Sequence, residues 1–298
     1  MTGANSETHD AIRDAVRRRY GLRAAAQYSQ AVDTASCCGT DSSCCGERPT
    51  AGVNNFSADL YALDEMEEVP LRAALARLGC ANPTAVAALR QGETVLDLGS
   101  GGGLDALLAA RRVGPRGHVY GIDMTDEMVT LAWQNAMDAG VGNVSFLKGD
   151  IADIPMPDAC VDVVISNCVI NLAADKRRVI AETWRVLKPG GRLAVADVII
   201  RGGLPDGSPF ADALRKDLYA WGSCISGALS DADYLDLLDE RGFTDRRIDV
   251  IREHHADDLF PQGLPEYAQL EPPETVDALL RRFASAVVHA DKPRAAAI

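Results

Sequence analysis

Between residues 94 and 200 the apolar positions alternate between two periods. Thr94–Leu98, His118–Asp123, Asn143–Lys148, Val161–Ser166 and Arg192–Ile200 are short apolar runs rich in valine and isoleucine, the pattern of buried strands. Between them, Leu104–Val113, Thr125–Ala139 and Asp175–Leu187 repeat apolar residues every three to four positions, which predicts helices. Thr125 stands where an N-cap is expected, and Lys188-Pro189-Gly190-Gly191 is a stop signal. Strand–helix alternation of this kind predicts an α/β, Rossmann-like doubly wound sheet, mostly parallel and covered by helices on both faces. Ligands then bind at the carboxyl ends of the strands.

The flanks read differently. Asp10–Ala26 is helical in pattern and basic (Arg13, Arg17, Arg18, Arg19), with Gly21 as an interruption. A loop with two cysteine pairs follows, then a periodic run through Leu71, Leu75 and Leu78 that ends at Gly79-Cys80, after which Asn82-Pro83 opens a short helix. Beyond Gly203 the alternation lapses until Ser230, which caps a helix through Tyr234, Leu235, Leu238 and Arg241. A strand at Arg247–Arg252, a proline- and acid-rich surface loop from Glu253 to Thr275, a helix at Val276–Arg282 and a strand near Ala284–His289 complete the expectation. The organisation expected is an N-terminal helical segment with a cysteine loop (1–75), a cofactor-binding core (76–230) and a C-terminal α+β segment that completes the sheet and covers the substrate site (231–298).

Composition narrows the partners. Of 298 residues, 47% are hydrophobic, enough for a large core, while 30 basic against 43 acidic side chains leave a net charge of −13. Such a surface argues against nucleic acid or an anionic membrane as partner. Met1 to Asp10 has no apolar signal-peptide core, and no run approaches the roughly 20 apolar residues of a spanning helix. The expected location is cytoplasmic.

The first strand ends in Asp97-Leu98-Gly99-Ser100-Gly101-Gly102-Gly103, directly before a helix. Such a turn lets backbone approach a ligand, and the helix start offers unpaired N–H groups. The third glycine of a dinucleotide fingerprint is missing, because position 104 is leucine, which disfavours a nicotinamide oxidoreductase. Asp123 closes strand two near the roughly 20-residue spacing expected of a ribose-binding acid, and Asp150 closes strand three within reach of an adenine amino group. With Val95 to Gly101, Gly121-Ile122-Asp123, Gly149-Asp150 and Leu187 to Gly191 in order, residues 90 to 200 resemble class I S-adenosylmethionine-dependent methyltransferases. The resemblance implies that Asp97 to Gly103 cradle the methionine moiety, Asp123 holds the ribose, Met124 flanks the adenine, and Asp150 with Ile151 contacts its edge. Asn167 joins Asp97, Gly99, Ser100, Gly101 and Gly103 among the implied cofactor residues.

Eight cysteines are present: Cys37, Cys38, Cys44, Cys45, Cys80, Cys160, Cys168 and Cys224. The CxxC spacing of common zinc sites is absent from the N-terminal loop, so that loop reads as thiol-bearing rather than zinc-binding. Strand four runs into Asn167-Cys168 with no acid, histidine or lysine base in the stretch Ile165 to Leu172. Cys224 lies in the segment after strand five, which must pass the same sheet edge, and Cys80 precedes the core. Thiols converging by fold suit a soft, thiophilic ion, and their polar neighbours suggest accessible thiolates.

Leu78 to Pro83, Ile165 to Leu172, Trp221 to Leu229, Val119 to Thr125 and the closing Ala284, Val287, Lys292, Pro293 pattern resemble arsenite methyltransferases. That resemblance implies trivalent arsenic held at Cys80, Cys168 and Cys224, and a redox thiol at Cys37 or Cys38, after which Cys44 and Cys45 add a second pair. It further implies S-adenosylmethionine as cofactor, arsenite or methylarsenite as substrate, methylated arsenicals as products of a detoxification reaction, and a thiol reductant (thioredoxin or glutathione) as co-substrate. Two readings from other classes stay open on the residues alone: a class I methyltransferase of a small organic metabolite, and a non-enzymatic thiol-based metal or metalloid binder.

Overall fold

The computed structural model describes residues 8–22, 24 and 87–295. The expectations for Cys37, Cys38, Cys44, Cys45 and Cys80, and for the helical stretch around residues 59–86, lie outside the described residues.

Helix α1 (residues 8–22) precedes the core and runs through Gly21 without a break. The alternating region then gives β1 (Thr94–Leu98), α2 (Leu104–Val113), β2 (His118–Asp123), α3 (Asp126–Asp138), β3 (Val144–Lys148), β4 (Val161–Asn167), α4 (Lys176–Val186) and β5 (Leu187–Ile200). The caps are chemical. Thr125 accepts a hydrogen bond from Met128 N–H at the start of α3, and Asp175 accepts one from Arg178 N–H at the start of α4. The C-terminal part adds α5 (Pro209–Leu214), α6 (Leu218–Trp221), β6 (Leu229–Ser230), α7 (Asp231–Arg241), β7 (Thr244–Glu253), α8 (Ala256–Leu259), α9 (Pro273–Leu280) and β8 (Phe283–Asp291).

All eight strands share one sheet in the order β3-β2-β1-β4-β5-β8-β7, with β6 paired to β5. The strands β1 to β5 are mutually parallel. The last strand in sequence, β8, inserts antiparallel between β5 and β7. Strand order therefore reverses at β1, between β2 and β4, and a crevice opens there at the carboxyl ends.

Three expectations are corrected. The stretch Lys188 to Gly191 ends α4 but does not delay β5, which begins at Leu187. The reason is a clasp: Gly190 N–H donates to Lys292 O (2.9 Å) and Lys292 N–H to Gly191 O (2.8 Å), which draws the turn into the sheet. Residues 253–275 are not a plain loop, because α8 and a 3-10 turn at Glu266–Leu270 lie within them. Helix α9 starts at Pro273, earlier than periodicity suggests, since proline is favoured in the first helical turn.

Burial follows the layers. Val95, Val163 and Ile165 pack one sheet face against Leu107, Leu108 and Val113 of α2. Leu96, Leu98 and Val164 pack the other against Val179 and Ile180 of α4 and Tyr234 of α7. Each fully buried leucine stabilises by about 1.5–3 kcal/mol. A third cluster at the carboxyl end contains Cys168 and Cys224 together with Val198, Phe210, Phe283 and, from α1, Ile12 and Val16.

An ion pair closes the opposite end of the sheet. Arg192 on β5 donates to both carboxylate oxygens of Glu93 (2.7 and 2.8 Å) and to Ala87 O and Ala88 O (2.7 and 2.9 Å). Burial pushes the Glu93 carboxyl up, but the hydrogen bonds from Arg192 and Arg90 N–H outweigh it and hold the group below its ordinary 4.5. A carboxyl depressed in the fold contributes stability above its unfolded pKa and loses it as pH falls through the folded value. We therefore expect Arg192→Ala to cost about 3 kcal/mol at neutral pH by leaving a largely buried carboxylate unpaired. Denaturant unfolding of both proteins should show that deficit shrinking as pH drops below 4.5; a pH-independent deficit refutes the ion-pair account.

Candidate active site

The glycine turn after β1 stands first. Gly99 has φ +67°, and a Cβ there would come within 2.4 Å of Val169 Cγ1. Only glycine lets the turn press so closely on the residue that follows Cys168. Ser100 N–H donates to Ile122 O (2.9 Å), and Gly101 N–H donates to Asp123 Oδ2 (3.1 Å), so the loop is tied to the end of β2. The other Asp123 oxygen accepts from Thr125 N–H and Thr125 Oγ1, each at 2.9 Å. Burial raises the Asp123 carboxyl, against the opposing pull of these donors.

A cavity of about 370 Å³ opens beside this turn. Gly99, Ser100, Gly101, Asp123, Met124, Asp150, Ile151, Asn167 and Cys168 all line it. Gly103 does not; it caps α2 at φ +88°, where a Cβ would meet Phe146. Asp97 does not line it either. It is buried under the turn, with its carboxyl pushed well up by burial and then by the charges of Asp105 and Asp123. The cavity suits S-adenosylmethionine: a backbone cradle that a Cβ would fill, a buried carboxylate for hydroxyls, and a second acid, Asp150, on the far side.

Sequence reasoning missed part of the wall. His9, Arg13, Val16 and Tyr20 of α1 face the cavity, and Arg13 pairs with Asp150. Their basic, helical pattern marked a helix but not its seat. Asp105 also lines the cavity and accepts from Asn167 Nδ2 (3.0 Å), although it directly follows the glycine turn.

The thiols meet at the carboxyl ends of β4 and β5. Cys168 N–H donates to Ala196 O (2.8 Å), and Cys224 Sγ donates to Cys168 O (2.9 Å). Both cysteines hold left-handed backbone, φ 57° and 62°, which non-glycine residues adopt at a cost and which clusters at functional sites. The Cys224 turn is held from several sides. Asp217 caps α6 (2.8 and 3.1 Å), Trp221 Nε1 donates to Leu172 O (3.1 Å), and Arg19 of α1 donates to Tyr219 O (3.0 Å) and Ser223 Oγ (2.9 Å). Gly227 permits the approach, since a Cβ there would lie 2.1 Å from Asn171 O.

Asp197 of β5 completes the group. One ligand atom each from Cys168, Asp197 and Cys224 all lie within 4.8 Å of one another, every residue buried. Burial lifts Asp197 to about 8, opposed by the Lys176 charge, and lowers Lys176 to about 8 in turn. Burial, then the Asp197 charge, pushes the Cys224 thiol well above 9. The expectation of accessible thiolates is thereby corrected at Cys224, whose thiol is buried and is favoured in its protonated form by that burial. Cys168 is disulfide-bonded to a residue outside those described. Cys160 lies apart, half-buried against the main core. The sequence signal for Asp197 was a lone acid inside the apolar run Leu193 to Ile200.

A methyltransferase domain family model matches residues 89–254. The crystal structure of an arsenic(III) S-adenosylmethionine methyltransferase from Chlamydomonas reinhardtii superposes with a TM-score of 0.60 at 31% identity, covering 78% of this chain and 73% of that one. The chain belongs to the arsenite methyltransferase family, with the class I fold. Among curated family members, arsenite methyltransferase of Halobacterium salinarum is 42% identical over 239 residues, 78% of this chain and 57% of the relative. The human arsenite methyltransferase is 37% identical over 164 residues, 52% of this chain and 42% of the relative. The chain thus spans about half the length of these family members.

Gly99→Ala should weaken S-adenosylmethionine binding at least about tenfold, a loss of some 1.4 kcal/mol. Adding Val169→Ala removes the two closest clashing atoms but not the positive-φ strain, so titration calorimetry should show partial recovery. Full recovery, or no effect of Gly99→Ala, contradicts the close-approach argument.

Proposed function

We propose that this chain transfers the methyl group of S-adenosylmethionine to trivalent arsenic held by cysteine sulfurs, as a detoxification step. The observation that carries the reading is the convergence of Cys168 and Cys224, both on left-handed backbone, with Cys168 lining the cavity beside the glycine turn. Cys80, outside the described residues, is the third sulfur that the family resemblance implies. A small organic acceptor would have no use for two strained buried thiols.

The residues have distinct tasks. Gly99, Ser100 and Gly101 present backbone to the methionine moiety, Asp123 takes the ribose, and Met124, Asp150 and Ile151 take the adenine. S-adenosylmethionine supplies an electrophilic methyl group. Arsenic bonded to thiol sulfurs keeps a lone pair and is itself the nucleophile, so no side chain has to deprotonate it. Arsenite enters by exchanging hydroxyls for thiols, and each As–S bond releases one water, which carries off the thiol proton. The high proton affinity of Cys224 is compatible with this exchange. Burial of both thiols excludes water and fixes the acceptor, which is a positioning contribution.

Methylation raises arsenic formally to the pentavalent state, and a further round requires two electrons. We assign these to protein thiols, with Cys37 or Cys38 as the redox thiol and thioredoxin or glutathione restoring them. Any disulfide at Cys168 must be reduced before that sulfur can bind arsenic.

Cys168→Ser and Cys224→Ser should each abolish arsenic methylation while S-adenosylmethionine affinity stays within about twofold, a change below 0.5 kcal/mol. The assay is labelled methyl transfer to arsenite with and without thiol reductant, with product speciation. Wild-type rates in both variants rule the proposal out.

A further inference from the structure

The Asp197 side chain has no task in the reaction as derived so far. It is fully buried, and one oxygen lies within 4.8 Å of the Cys168 and Cys224 sulfurs. Its Oδ2 accepts from Asn171 N–H (3.3 Å), which anchors the group. Its Oδ1 has no hydrogen-bond partner among the described residues. A buried carboxyl oxygen without a partner is costly, and a bound ligand group is one way to satisfy it. Nearby, Asn171 Nδ2 donates to Val198 O (2.7 Å), and Lys176 Nζ lies over the Trp221 ring and donates to Ala173 O (2.9 Å). Neither of them fills the Oδ1 position.

The chemistry of arsenite indicates what does. When As(OH)3 reacts with two thiols, two As–S bonds form, two As–O bonds break, two waters leave with the thiol protons, and one As–OH remains. Arsenic keeps its oxidation state throughout. That hydroxyl is borne by an atom bonded to both sulfurs, and the Asp197 carboxyl lies beside both. We propose that Asp197 binds the hydroxyl that trivalent arsenic retains while Cys168 and Cys224 alone are bonded to it. It thereby orients the two-thiol complex and favours arsenicals that keep a hydroxyl. A third thiol would release the hydroxyl as water in a later exchange. The inference rests on the reading of Cys168 and Cys224 as arsenic ligands.

Phenylarsine oxide is the discriminating probe. It also binds two thiols, releasing one water, but its third substituent is a phenyl carbon and no hydroxyl remains. The background is the reduced 298-residue chain in which Cys37, Cys38, Cys44, Cys45, Cys80 and the distant Cys160 are each replaced by serine, leaving Cys168 and Cys224 as one thiol pair. Calorimetry there compares arsenite with phenylarsine oxide. If neither probe binds this background, the thiol-site reading itself fails and the inference with it. If both bind, Asp197→Ala should weaken arsenite about tenfold, the size of one lost buried hydrogen bond, and leave phenylarsine oxide within about twofold. Asp197→Leu, similar in shape and without a polar atom, serves should the alanine protein not fold, and the same arsenite-selective loss is expected. Equal losses for both probes, or none for either, overturn the inference.

Discussion

The contact between Gly99 and Val169 holds the site together. A side chain at Gly99 would overlap Val169, and the backbone there is left-handed. Through this one close approach, the glycine turn that lines the cavity and the turn that carries Cys168 become a single packed unit. Asp123 extends the unit to β2 by accepting from Gly101 N–H, and Ala196 O extends it to β5 by accepting from Cys168 N–H. The reversal of strand order at β1 supplies the crevice, and the missing Cβ allows its two walls to meet.

The thiol end of the crevice is electrostatically unusual. Asp197, Lys176 and Cys224 are buried together, and burial drives each toward its neutral form. In such surroundings a permanent thiolate is disfavoured, whereas a substrate that exchanges a hydroxyl for the thiol sulfur, the hydroxyl departing with the thiol proton as water, brings no net charge into the site. The same dryness strengthens any hydrogen bond made inside the site. Helix α1 closes the wall on the open side, with Arg13 on Asp150 at the cofactor end and Arg19 on the Cys224 turn at the other. One helix therefore touches both the Asp150 side of the cavity and the Cys224 turn.

Membership of the family and the chemistry of the site are separate statements. The fold and the match to arsenite methyltransferases concern the whole of the core, whereas the acceptor depends on a few side chains near the ends of β4 and β5. Among the described residues no helix is long and apolar enough to cross a membrane.

Local chemistry determined much of this protein. Buried strands need apolar runs, and Thr125, Asp175 and Ser230 cap their helices by hydrogen bonds confined to one turn, so β1 to β5 and α2 to α4 were legible from spacing. That Gly99, Gly101, Asp123 and Asp150 gather at the carboxyl edge was legible too, because they sit at strand ends whose position the pattern sets, and all four line the cavity. Tertiary structure alone decided what depends on long-range pairing. Strand β8 passes between β5 and β7 because its apolar residues need two neighbours, and no local signal encodes which ones. The seat of α1 on the cavity, the burial that keeps Cys224 protonated, and the placing of Asp197 beside two sulfurs arise where β5, the Cys224 turn and α1 converge. Those three segments lie far apart in sequence, so the electrostatic environment of each exists only once the chain has folded.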